Sequence, residues 1–196
     1  MKDTIQKAWG KGMTYAEYML LFEQLVDEQR TTGEQTETKI DFTKLNFSRS
    51  KRLNKYATLP EELERLLKSS TASQKWLVIS EPWCGDAAQS LPFINAVASH
   101  SEKIELKIVL RDDNLEVMDQ FLTNGSRSIP VLVMMNDVFE VQQVWGPRPQ
   151  PATKLVSDYK NTHGQIDDVL KKELQLWYNQ DKGKTVLSEL QRYLES

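Results

Sequence analysis

Between Thr14 and about Arg30 the apolar residues Tyr15, Tyr18, Met19, Phe22, Leu25 and Val26 recur at steps of three and four, which predicts an amphipathic helix. Thr14 stands where an N-cap would, and Glu17 three residues on completes a capping box. The polar run Thr31 to Thr36 predicts a loop, and Leu45, Phe47, Leu53 and Tyr56 predict a second helix from about Phe42 to Tyr56. From about Leu59 the period changes. Pro60-Glu61-Glu62 opens a helix carrying Leu63, Leu66 and Leu67, and Trp76-Leu77-Val78-Ile79 is an apolar run of the buried-strand type. A helix is expected from Cys84 to about His100, a strand over Ile104 to Leu110 and a helix over Asn114 to Leu122. Strands over Val131 to Met135 and Phe139 to Val144 flank a turn at Asn136-Asp137. Helical patterns resume beyond Pro147 and run from about Gln165 to Leu194, with a break near Gly183. Tight turns join only antiparallel strands, so this order predicts an α/β domain with a mixed central sheet and helices on both faces. The expected division is an N-terminal helical extension (1–58), the α/β domain (59–160) and a C-terminal helical extension (161–196).

Composition narrows the chemistry. With 196 residues, one domain with extensions is the prior, and eight glycines and seven prolines fit a helix-rich chain. A net charge of −3 gives no global attraction to nucleic acid or to an anionic membrane surface. No run approaches the ~18 apolar residues of a spanning helix, and the first seven residues lack the apolar core of a signal peptide. A soluble, cytoplasmic protein is the expectation. The chain has one cysteine, Cys84, and two histidines, His100 and His163. A single thiol excludes an intrachain disulfide and any four-cysteine zinc or iron–sulfur site, so neither metal nor cofactor is expected.

Cys84 follows a predicted strand by the loop Ser80-Glu81-Pro82-Trp83 and opens a predicted helix. Free backbone N–H groups and the positive end of the helix dipole stabilise a thiolate there, while Asp86 in the same turn opposes one. Trp83 offers a flat apolar surface for a partner, or simple packing.

Glu81-Pro82-Trp83-Cys84-Gly85-Asp86-Ala87 resembles the thioredoxin active-site loop, Trp-Cys-Gly-Pro-Cys, with Asp86 in place of the proline and Ala87 in place of the second cysteine. Pro92 lies five residues after Ala87, where thioredoxins kink their active-site helix. Ile129-Pro130 lies where that family carries a cis-proline facing the cysteine, and Gly146 matches a family glycine after the next strand. The resemblance implies a thioredoxin-like fold, a nucleophile at Cys84 and a partner held by Trp83, Gly85, Asp86, Ile129 and Pro130. It also implies two losses: Ala87 replaces the resolving thiol, and Val78 replaces a buried aspartate that serves it.

Two functions compete. One is monothiol thiol–disulfide exchange, with Cys84 attacking a disulfide-containing protein or taking up a low-molecular-weight thiol, and an external thiol resolving the product. The other is a redox-inactive protein-binding module that kept the groove. An iron–sulfur cluster shared across a dimer ranks last, because Gly85-Asp86-Ala87 does not resemble the loop that supports it. His100 and His163 read as helix-end groups, and Asp112-Asp113-Asn114 as a helix cap. Gly183-Lys184-Thr185 lacks the earlier glycine and strand of a P-loop, and the sequons at Asn46 and Asn124 carry no meaning without secretion. Arg49, Lys51, Arg52 and Lys55 form a basic run that reads as a solvated helix face or, alternatively, as a site for an acidic partner.

Overall fold

The run Trp76 to Ile79 becomes the centre of a four-stranded sheet. Its side chains alternate between the two faces, and all four residues are 0% exposed, so both faces are covered. The structure is a computed structural model that describes residues 1–195. Strand β1 (Gln74–Ser80) pairs in parallel with β2 (Ile104–Leu110) and antiparallel with β3 (Val131–Asn136), and β3 pairs antiparallel with β4 (Val141–Trp145). The order is β2-β1-β3-β4, a mixed sheet of the thioredoxin-like type.

Nine helices surround it among the described residues. Before the sheet come α1 (Lys2–Lys11), α2 (Tyr15–Asp27), α3 (Glu37–Asn54) and α4 (Glu61–Ser69). The Thr14–Glu17 capping box opens α2 as the sequence indicates. Helix α1 was not among the expected elements, although Ile5, Ala8 and Trp9 are buried at helical spacing. After α1, Met13 makes a single antiparallel bridge to Ile108, which ties this segment to the β2 edge of the sheet. Helix α5 (Gly85–Ser99) is the crossover from β1 to β2 and contains Pro92. The expected helix over Asn114 to Leu122 is the single turn α6 (Leu115–Met118). Gln120 and Phe121 then donate to carbonyls three residues back, and Thr123 and Ser126 close a turn with reciprocal bonds of 2.9 and 3.0 Å.

The tail folds as α7 (Gln150–His163), α8 (Asp168–Asp181) and α9 (Lys184–Leu194), with Lys182 and Gly183 in the left-handed region between the last two. A Cβ on Gly183 would stand 2.2 Å from the Phe93 ring, so this break also seats the tail on α5. At Gly146, φ is +122° and a Cβ would meet the Pro130 carbonyl oxygen at 2.2 Å, which holds the end of β4 against the start of β3. Helix α3 packs along α5 and against α2. No helix of the described residues is long and apolar enough to cross a membrane.

Candidate functional site

Cys84 is the N-cap of α5, yet its sulfur faces inward. The residue is 8% exposed, and its S–H donates to the Ile129 carbonyl at 3.3 Å. The Ile129–Pro130 peptide is cis, and Ile129 is buried beside the sulfur. Burial pushes the thiol up to about 12, the Asp86 charge adds to that push, and the N–H groups of Ala87 and Asp86 together with Arg148 act against it. Burial thus works against the thiolate that a helix N-terminus favours. Ala87, one turn on, is buried behind it.

Asp86 is not a solvated first-turn acid. Its carboxylate forms an ion pair with Arg148 Nη2 at 2.6 Å and accepts from the Tyr178 hydroxyl at 2.8 Å. Burial pushes the Asp86 carboxyl up, against the pull of Arg148 and Tyr178. Neither of those partners was read from the sequence. Arg148 sits in the Gly146-Pro147-Arg148-Pro149 turn, and Tyr178 lies 92 residues from Asp86 on α8. The loop ahead of Cys84 is held from the other end of the chain. Glu81 accepts from the Thr32 hydroxyl and from Asp112 N–H at 2.9 Å, and Asn46 Nδ2 donates to the Pro82 carbonyl at 3.1 Å. Burial pushes the Glu81 carboxyl up as well.

Trp83 is half-buried, with Lys39 Nζ and Arg111 Cζ 5.2 and 4.8 Å from its ring centroid. Its ring packs on cations rather than lying bare. Asp112 and Asp113 do not cap α6, which has no side-chain cap; Asp112 pairs with Arg111 at 2.8 Å. His100 and His163 bond to carbonyls four residues back in their own helices. Asn46, the first sequon residue, is buried. Among the described residues no group of three or more His, Cys, Asp and Glu side chains converges as a metal site would.

Above Cys84, Trp83, Gly85, Asp86 and Ile129 line a cleft of about 530 Å3, walled on one side by α3 and on the other by α8. This lies within the ordinary range for small-molecule sites, about 300–1,000 Å3. Six cations line it: Lys39, Arg49, Arg111, Arg127, Arg148 and Lys171. Arg49 thus belongs to the cleft and not to a solvated face.

A sequence model of the thioredoxin family matches residues 33–160, so the match begins within the segment expected to precede the domain. The fold is also similar to that of a protein of unknown function, PA1234, from Pseudomonas aeruginosa: 18% identity, 93% of this chain and 98% of that one covered, TM-score 0.61. An HIV epitope scaffold is similar at 16% identity with the same coverage and a TM-score of 0.60. At these identities the likeness concerns the fold. Coverage of 93% takes in helices on both sides of residues 59–160.

Proposed function

The chain belongs to the thioredoxin family, and on that premise we propose that it is a binding protein whose cleft holds a partner non-covalently over an unactivated Cys84. The observation that carries this reading is the engagement of the thiol. Its proton is bonded to the Ile129 carbonyl in a site where the residue is 8% exposed, so a nucleophilic sulfur would first have to lose both that bond and its burial. The Ile129 carbonyl, which an extended partner could otherwise use for strand-like pairing, is occupied by the same contact. Trp83, Gly85, Asp86 and Ile129 then shape the floor and rim of a recognition site, and Pro130, buried and outside the lining, acts by fixing the backbone of Ile129.

A second reading is supported by the position of Cys84 at the start of α5, with the N–H groups of Ala87 and Asp86 reaching its sulfur. In a reducing, cytoplasmic setting its thiolate would attack one sulfur of a disulfide and expel the other as a thiolate. An external thiol, once deprotonated, would attack the mixed disulfide and release Cys84.

The rate of Cys84 alkylation by iodoacetamide, followed by intact mass as pH rises, separates the two. Binding predicts slow modification with no inflection below about pH 10, and fast modification once urea unfolds the chain. An inflection below the free-thiol value of about 8.5 would overturn the binding reading in favour of exchange.

A further inference from the structure

We infer that the cleft over Cys84 is a site for a low-molecular-weight organic anion of the polycarboxylate class, seated between Arg49, Gln89 and Arg148. The inference rests on the non-covalent binding reading and names its ligand.

The first observation is an unneutralised positive charge. Of the six cations that line the cleft, Lys39, Arg111, Arg127, Arg148 and Lys171 pair with Glu34, Asp112, Asp119, Asp86 and Asp168. Arg49 makes no ion pair among the described residues; its Nη1 donates to Asn46 Oδ1 at 3.0 Å. That nitrogen lies 3.8 Å from where a Cβ on Gly85 would stand, so a half-buried guanidinium faces the first residue of α5. The N-terminus of a helix is itself a centre of partial positive charge. The acid that would ordinarily balance it, Asp86, is engaged by Arg148 and Tyr178.

The second observation is independent of charge. Gln89, one turn along α5, is 4% exposed and lines the cleft, and its Nε2 has no hydrogen-bond partner. Trp83 Nε1 and Arg148 Nε, in two further residues of the lining, are also buried without partners. All three are donors. A buried donor left unpaired costs about 1–3 kcal/mol, so three around one cleft call for an acceptor that the protein does not supply. A carboxylate offers about four lone-pair sites and accepts from guanidinium and amide together, whereas a cation or an apolar ligand would satisfy none of these groups.

Citrate is the probe. Titrated into the full chain in a calorimeter at matched ionic strength, it is expected to bind saturably at one site, and its neutral triamide is expected not to bind. Arg49→Gln should weaken binding at least tenfold. Gln89→Met, which removes the unpaired donor at nearly constant volume, should weaken binding several-fold while leaving the unliganded protein as stable or more so; a purely structural Gln89 would lose stability instead. Arg65→Gln, on the exposed face of α4, should bind as the parent does. No saturable binding up to about 10 mM overturns the assignment, as does equal binding of the triamide or unchanged affinity in Gln89→Met. If Arg49→Gln does not fold, Gln89→Met carries the test. Failure of citrate with a high alkylation inflection removes the anion and leaves the binding reading standing. Citrate binding that depends on Arg49, together with an inflection below about 8.5, does the reverse.

Discussion

Glu81 and Asp86 stand three residues before and two after Cys84, both buried, yet they are held by opposite means. Glu81 is met by neutral donors, the Thr32 hydroxyl and the Asp112 N–H. Asp86 is met by a cation, Arg148, and by the Tyr178 hydroxyl. Each carboxylate also draws in a different end of the chain: Thr32 lies ahead of α3, and Tyr178 lies on α8. The loop that carries Cys84 is thus clasped from both sides, and the two clasps build the cleft walls. They should fail differently, because an orphaned neutral donor costs less than an orphaned charge.

The largest expected effect is on the charged clasp. Asp86→Asn keeps the shape but leaves Arg148, whose side chain is 23% exposed, without its counter-ion, and should cost about 3 kcal/mol in urea unfolding. The matched change Glu81→Gln keeps an acceptor oxygen for Asp112 N–H and should cost about 1 kcal/mol, although Glu81 is the more deeply buried. Equal losses would mean that the charge on Arg148 adds nothing to its clasp.

The contrast also marks what the sequence could and could not disclose. The sheet was legible from Trp76 to Ile79, because a strand covered on both faces must be apolar throughout. Pro92, Ile129-Pro130 and Gly146 were legible as a resemblance to a family, and they fall within α5, just before β3 and just after β4. Leu115, Val117, Met118, Phe121 and Leu122 carry a helical period, yet only one turn forms, since bonds three residues back and the Thr123–Ser126 turn end it. The state of Cys84 was not legible: the dipole and Asp86 can be read locally, whereas the burial that decides between them is a property of the assembled fold. Arg148, Tyr178 and Thr32 lay beyond reach for the same reason, as contacts 49 residues or more away along the chain carry no local period.

Folded Cys84 holds its proton up to about 12, whereas an unfolded cysteine releases it near 8.5. The stabilisation from the protonated thiol is therefore complete below about pH 8.5 and is lost as pH rises toward 12, reaching a loss of about 2 kcal/mol at pH 10. Cys84→Ala should remove this slope, read as the difference from the parent in urea melts at pH 8 and pH 10. Burial is the largest push on Cys84 and stays in both carboxyl variants, so Asp86→Asn and Glu81→Gln should each keep most of the slope. Any reduction should fall on Asp86→Asn, because Asp86 is one of the charges that push Cys84 up.

The two hydroxyls act on the same scale as Glu81→Gln. Thr32→Val and Tyr178→Phe each remove one donor to a buried carboxylate and should each cost about 1 kcal/mol. Their combination is the more telling measurement. The clasps grip opposite sides of the Cys84 loop and share no hydrogen-bond partner, so the double variant should lose the sum of the single losses to within about 0.5 kcal/mol. A coupling above about 1 kcal/mol would mean that loosening one end of the loop loosens the other. The two walls of the cleft would then move as one unit, and the difference between Glu81 and Asp86 would be chemical without being mechanical.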